Sequence, residues 1–205
     1  MINVLFVAAL FFQSAAMGRH HAPRQHGGFS PSSAVAPVGG NVAGIPERVF
    51  SRKGASVLHG TVTRVSDGDT IWVEGTVIWA NGQPSTPGAV PLKYKVRLDR
   101  IDAPESDQPF GEASKRHLKS IIAGRRVAVQ FEREDKYGRL LGIVFLEGED
   151  INLRMVKDGC AWHYRHFDDT PAYAAAEREA RSAKRGLWAD ANAEPPHDFR
   201  RRNRH

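Results

Sequence analysis

The sequence predicts an α+β fold: a small, strongly curved β-barrel with helices packed on it. Three observations point there. Five short segments with strand-like patterning occur in the middle of the chain, separated by turn signals. One helical segment interrupts them between the third and the fourth. Two further helical segments follow the fifth, an order that suits a five-stranded barrel plus three helices.

The elements follow in order. Gly60-Thr-Val-Thr-Arg-Val-Ser66 alternates as a first strand. Asp67-Gly68-Asp69 reads as a tight turn, and Thr70-Ile-Trp-Val73 as the second strand. Asn81-Gly82 and the stretch from Pro84 to Pro91 mark a long hairpin loop. Tyr94-Lys-Val-Arg-Leu98 alternates as the third strand, and Pro104 and Pro109 end regular structure after it. Gly111 to Ile122 reads as a helix, with Ala113, His117 or Leu118, and Ile121-Ile122 on one face and Gly124 closing it. Val127 to Phe131 and Leu140 to Leu146 supply strands four and five, joined by the turn Asp135-Lys-Tyr-Gly138. Asp150 caps a short helix that ends at Gly159. Thr170-Pro171 opens the last helix, with proline in its first turn, and that helix runs to Gly186. An OB-fold has this order.

Composition bounds the rest. The chain has 205 residues with 29 Lys+Arg against 23 Asp+Glu, a net charge of +6, and 41% hydrophobic residues, enough for one core. A single cysteine excludes an intrachain disulfide framework and any multi-cysteine metal site. No apolar run reaches the ~18 residues that span a bilayer. Residues 1–16 have the shape of a signal peptide: an apolar run from Ile2 to Phe12 followed by small residues, although no basic residue precedes it. Export to the periplasm or medium is therefore expected, and a cytoplasmic location if Met17 is the true start. Residues 17–54 read as a Gly/Pro/Ser-rich linker, and 191–205, with Arg200-Arg201-Arg202, as a disordered basic tail. His20, His21 and His26 fit no defined metal spacing. The folded domain is expected over 55–190.

Three segments place charge where turns and strand ends should converge: Asp67-Gly-Asp-Thr70, Arg97 through Asp102-Ala103-Pro104-Glu105, and Asp135-Lys-Tyr-Gly-Arg139. Each alone has a plain reading as a turn, a helix start or a hairpin with a solvated salt pair. Together they carry chemistry. Asp69, Asp102 and Glu105, brought into one place, make an oxygen-rich site of the kind calcium prefers. Arg97 and Arg139 supply bidentate guanidiniums for phosphoryl oxygens.

As a set, these pieces and the closing Arg185-Gly-Leu-Trp188 make the stretch Gly60–Trp188 resemble the staphylococcal-nuclease-like (thermonuclease) family. The resemblance implies an OB-fold, Ca2+ as cofactor, and hydrolysis of DNA and/or RNA by in-line attack of water that leaves 3′-phosphate ends. Position by position it implies Asp69 and Asp102 as metal ligands and Ala103 as a ligand through its backbone carbonyl. It implies Glu105 as the holder of the attacking water and candidate base, and Arg97 and Arg139 as the phosphate clamp. Asp67 is read as shaping the turn. Tyr164 and Tyr137 are candidates for stacking on the nucleotide. The chain departs from the family in a longer stretch between Asp69 and Arg97 and in a loosely matching region after Ala161.

His163 and His166 have no second ligand pair, which disfavours zinc. Cys160 reads as a small buried hydrophobe and Trp188 as docking the last helix onto the barrel. No base-reading element is evident, so little sequence preference is expected, and action as a monomer. The competing reading is a non-catalytic nucleic-acid- or protein-binding module on the same fold. Retention of both the acidic and the arginine set weighs against it.

Overall fold

The computed structural model describes residues 55–84 and 90–203. The proposed signal peptide, the linker up to residue 54 and part of the 81–91 loop lie outside them. Strands β1 (Ser56–Val65), β2 (Thr70–Ile78), β3 (Leu92–Leu98), β5 (Arg126–Glu134) and β6 (Leu140–Leu146) form one sheet in the order β3-β2-β1-β5-β6. A parallel pairing of β3 with β6 closes that sheet on itself, with Val96 opposite Leu140, Arg97 opposite Leu141 and Leu98 opposite Gly142. The result is the expected five-stranded OB-fold barrel. Two-residue strands complete it: β4 (Ile101–Asp102) pairs with β8 (Trp162–His163), and β7 (Glu149–Asp150) extends β6.

Strong curvature needs places where backbones pass closely. Gly60 on β1 faces Gly75 on β2. A Cβ on Gly75 would lie 2.1 Å from the His59 carbonyl oxygen, so both strands are bare where they cross. Register shifts at Val62/Arg64 and Phe131/Arg133 add the bends a small barrel requires. Alternate residues point inward: Leu58, Val62, Ile71, Val73, Val96, Leu98, Val129 and Val144 are buried in one core.

Helix α1 (Gly111–Ile122) buries Gly111, Ser114, Leu118 and Ile122. That face is centred differently from the expected one, because Ser114 belongs to it and Ala113 and His117 are only half-buried. The Ser114 hydroxyl satisfies itself by donating to the Cys160 carbonyl at 2.7 Å, so a polar residue occupies an apolar stripe. Asp150 caps α2 (Ile151–Lys157) by accepting from the Leu153 amide at 2.9 Å. Helix α3 (Pro171–Ser182) starts at Pro171 as expected but stops four residues before Gly186, where a 3-10 turn, Gly186–Ala189, begins. Trp188 packs in a satellite cluster with Ala180 and Leu187, its ring edge-on to Trp162 at 4.2 Å, under the Arg181 guanidinium. It therefore fastens the chain after α3 to α3 and Trp162, where docking onto the barrel was expected.

The larger correction concerns the end of the chain. Residues 191–205, read as a disordered basic tail, contain a fourth helix, α4 (Pro196–Arg202). Pro196 stands in its first turn, Asp198 complements its N-terminus, and Phe199 is buried. The Gln108 side-chain amide holds the approach to it by donating to the Glu194 carbonyl at 2.6 Å. The composition is that of a tail, but one proline and one phenylalanine dock the segment.

One buried polar residue ties α2 to the closure of the barrel. Asn152, with no exposed surface, accepts from the Val144 amide at 3.1 Å and donates to the carbonyls of Asp99 (2.9 Å) and Gly142 (3.0 Å). Replacing it with leucine takes the side-chain partner from three backbone groups, of which the Gly142 carbonyl keeps the Asp99 amide at 2.9 Å. Asn152→Leu is expected to destabilise the fold by roughly 2–4 kcal/mol, measured as a lowered urea midpoint at unchanged slope.

Candidate active site

The first site segment is set by a crowded turn. The Ser66 amide donates to the Thr70 carbonyl at 2.8 Å, and the Asp69 amide donates to Asp67 Oδ1 at 3.1 Å. Asp67 thus shapes the turn, as expected. Gly68 lies against α1, where a Cβ would meet Ser114 Oγ at 2.1 Å and the Ala103 Cβ at 2.7 Å. With that approach made, the Asp69 carboxylate is buried and reaches the second segment. Its Oδ1 accepts from the Thr70 hydroxyl at 3.1 Å, and its Oδ2 accepts from the Ala103 amide at 2.9 Å.

Arg97 follows from register. It sits opposite Thr70 on β2, and its guanidinium lies across two carboxylates, with Nη1 at 2.6 Å from Asp69 Oδ2 and Nη2 at 3.0 Å from Asp102 Oδ1. Nη1 also donates to the Leu98 carbonyl at 3.1 Å. Asp102 is almost completely buried, on β4, just beyond a left-handed turn at Arg100. Burial lifts its carboxyl above the usual range and Asp69 adds to that, against the pull of Arg200 and Arg97. Asp67 is pushed up to about 6, first by burial and then by the neighbouring Asp69.

Glu105 lies on the extended stretch before α1. Its carbonyl accepts from the Gln108 amide at 3.0 Å, and it packs on Gly111, where a Cβ would stand 1.8 Å from that carbonyl oxygen. Arg139 belongs to the β5–β6 turn. Asp135 organises this turn by accepting from the amides of Tyr137 (2.8 Å) and Arg139 (3.1 Å) and from Arg139 Nε at 2.7 Å. Neither terminal nitrogen of Arg139 has an acceptor among the described residues.

Asp69, Arg97, Ala103, Glu105, Arg139, Tyr137 and Tyr164 all line one open cavity of about 420 Å³. Asp102 lies behind it, reached through Arg97. The structure therefore brings the residues assigned to the site into one neighbourhood, with Asp102 just behind the cavity they line. The tyrosines differ in setting. Tyr137 is 70% exposed beneath the Arg139 guanidinium, while Tyr164 is packed edge-on to Phe167. Ala103 meets the cluster through its amide, which bonds Asp69.

The sequence reading missed Arg200. From α4 it reaches Asp102 Oδ1 (3.2 Å) and Oδ2 (2.9 Å) and Glu105 Oε1 (2.6 Å). The available signal was Pro195-Pro196 followed at Phe199 by an apolar residue able to dock. Against it stood four arginines in five residues.

The donor set is all oxygen, which suits a hard divalent cation. Asp69 and Asp102 would hold one, with the Ala103 carbonyl, and Glu105 lines the same cavity. As the side chains stand, these carboxylates are taken up by Arg97 and Arg200, and no group of three acidic, histidine or cysteine residues converges on a point among the described residues. Elsewhere the expectations for non-functional residues agree with the geometry. His163 is buried and bonded to Asp168 at 2.8 Å, and Cys160 is buried in the core, which pushes its thiol up to about 12.

An uncharacterized endonuclease of Escherichia coli is 40% identical to this chain over 146 residues, 71% of this chain and 86% of that one. A model described as staphylococcal nuclease homologue matches residues 95–190. The chain belongs to this family. Another member, an uncharacterized endonuclease of Haemophilus influenzae, is 36% identical over 143 residues (70% of this chain, 73% of that one). A probable staphylococcal-like nuclease of Oryza sativa subsp. japonica is 40% identical over 112 residues, 55% of this chain but 34% of the plant protein, so the chain spans about a third of that relative. Staphylococcal nuclease membership and these relatives support a phosphodiester hydrolase.

The turn organised by Asp135 lends itself to a pH test. Burial opposes ionisation, but the Arg139 amide and guanidinium and the Tyr137 amide outweigh it and hold the carboxyl below its usual value of 3.8. A lowered folded-state value means that the stabilisation is fully present above the unfolded value and is lost as pH falls through the folded one. The stability difference between the natural protein and Asp135→Asn should be constant from pH 7 to about 5 and shrink steadily below about 4. Urea midpoints measured across that range check it.

Proposed function

We propose that the chain is a calcium-dependent nuclease that hydrolyses phosphodiester bonds of DNA and/or RNA with little sequence preference, leaving 3′-phosphate ends. The observation that carries this reading is the cavity in which Arg97, Arg139, Asp69 and Glu105 meet. A phosphodiester gains negative charge on its oxygens as water attacks, and pre-placed guanidiniums stabilise that charge. Arg139 is suited to this because Asp135 fixes its Nε and the other nitrogens are left for an anion. Arg97 works from further back, since its two terminal nitrogens already hold Asp69 and Asp102. Glu105 is the carboxylate at the mouth, its side chain more than a third exposed, and takes the proton of the attacking water. Bound by Asp69, Asp102 and the Ala103 carbonyl, calcium would supply charge to polarise the phosphate.

Nucleic-acid recognition rests on backbone charge. Tyr137 and Tyr164 offer faces for stacking without hydrogen-bond readout of bases. Among the described residues no helix is long and apolar enough to cross a membrane. Export, suggested by residues 1–16, and action as a monomer are parts of the same proposal.

Purified protein with plasmid DNA and calcium should cut, and a chelator should abolish cutting. Arg139→Ala and Glu105→Ala should each lower turnover by roughly 100-fold or more while far-UV circular dichroism stays unchanged. Tight binding to DNA without cleavage would favour a binding module, and full activity in both variants would sink the site assignment.

A further inference from the structure

The carboxylate cluster holds an internal cation that the family motifs do not include. Arg200 stands on α4, outside the matched stretch 95–190. Its guanidinium spans both oxygens of Asp102 and one of Glu105, in a bidentate arrangement that arginine forms and lysine does not. Asp102 is almost wholly buried, and a buried carboxylate that lacks a counter-charge is strongly unfavourable. Arg97 gives one positive charge to Asp69 and Asp102 together, and Arg200 gives the second to Asp102 and Glu105.

Charge bookkeeping then sets up a competition. Asp69, Asp102 and Glu105 carry three negative charges. A divalent cation plus Arg97 balances them, which leaves Arg200 in surplus. Without the divalent cation, Arg200 is the group that limits the deficit. Both cations would draw on the Asp102 oxygens, and Arg200 ties up Glu105 as well.

The arm that carries Arg200 has a small buried footing. Helix α4 has seven residues, and Phe199 and Pro196 are its buried ones. The Arg200 side chain remains 37% exposed, and the preceding stretch is pinned by the Gln108–Glu194 and Arg202–Glu194 contacts, outside the carboxylate cluster.

We propose that Arg200 is a displaceable counter-ion of the active-site carboxylates. It closes the cluster when the divalent cation is absent and must withdraw, with α4, before that cation can bind. This rests on the proposed calcium dependence. The C-terminal helix thereby sets the calcium concentration at which the site loads.

Calorimetric titration of calcium chloride into the full chain tests it without reference to cleavage. Arg200→Gln should bind calcium about 10-fold more tightly than the natural protein, a gain of ~1.4 kcal/mol. Phe199→Ser keeps the guanidinium but loosens α4, and should shift affinity in the same direction. Deuterium exchange of the backbone at 195–203 should speed up when calcium is added to the natural protein. Equal affinity in the natural protein and Arg200→Gln, weaker binding in the variant, or unchanged exchange at saturating calcium each overturns the latch while leaving calcium binding intact. Absence of binding in all three proteins overturns the calcium assignment and the latch with it.

Discussion

Everything at the site depends on the parallel pairing of β3 with β6. These strands are distant in sequence, and the pairing converts a meander into a closed barrel. The register sets Arg97 opposite Leu141, two residues after Arg139. Two guanidiniums from separate hairpins thereby reach one cavity wall. Asn152 keeps this register by bonding to both Val144 and Gly142 on β6, and to Asp99 just after β3. A slip of one residue would turn Arg97 inward and bury a charge in the core.

The second constraint is electrostatic. Closure forces Asp69 and Asp102 into the same poorly hydrated corner, and Asp67 stands close enough to feel Asp69. Chains do not bury like charges without compensation. Here it comes from hydrogen bonds aimed by the backbone, from Thr70 and Ala103 to Asp69, and from one arginine laid across two carboxylates. A lysine at position 97 could touch both oxygens only as a point charge and would lose the planar fork that fixes their spacing. The two arginines of the motif are therefore unequal: Arg97 is structural cement for the acidic corner, and Arg139 faces the cavity.

Much of this was legible in the residues. Strand alternation in Gly60–Ser66 and Tyr94–Leu98 reflects a barrel with one buried face, and the glycine, proline and aspartate punctuation marks its turns. The Asp67, Arg97 and Asp135 segments, each with a plain reading alone, were recognisable because as a set they resemble the motifs of the staphylococcal-nuclease-like family. Less legible were the features that exist only by packing. Ser114 looks like a surface residue until its hydroxyl meets the Cys160 carbonyl. Trp188 could have docked on any apolar surface, and what selected Trp162 and Arg181 was the path of the chain beyond α3.

Arg200 shows why the last part escaped. Its segment is nearly all charge, and composition predicts disorder for such a stretch when it has no partner. The partner exists because the barrel has concentrated negative charge at one rim. A basic segment that composition leaves unfolded can be held by a field that only the finished fold creates, with one phenylalanine to set its position. The same reasoning separates the ends of this domain. The strands and α1 share one core with α2 and α3, whereas α4 is held through Pro196, Phe199 and the corner it closes.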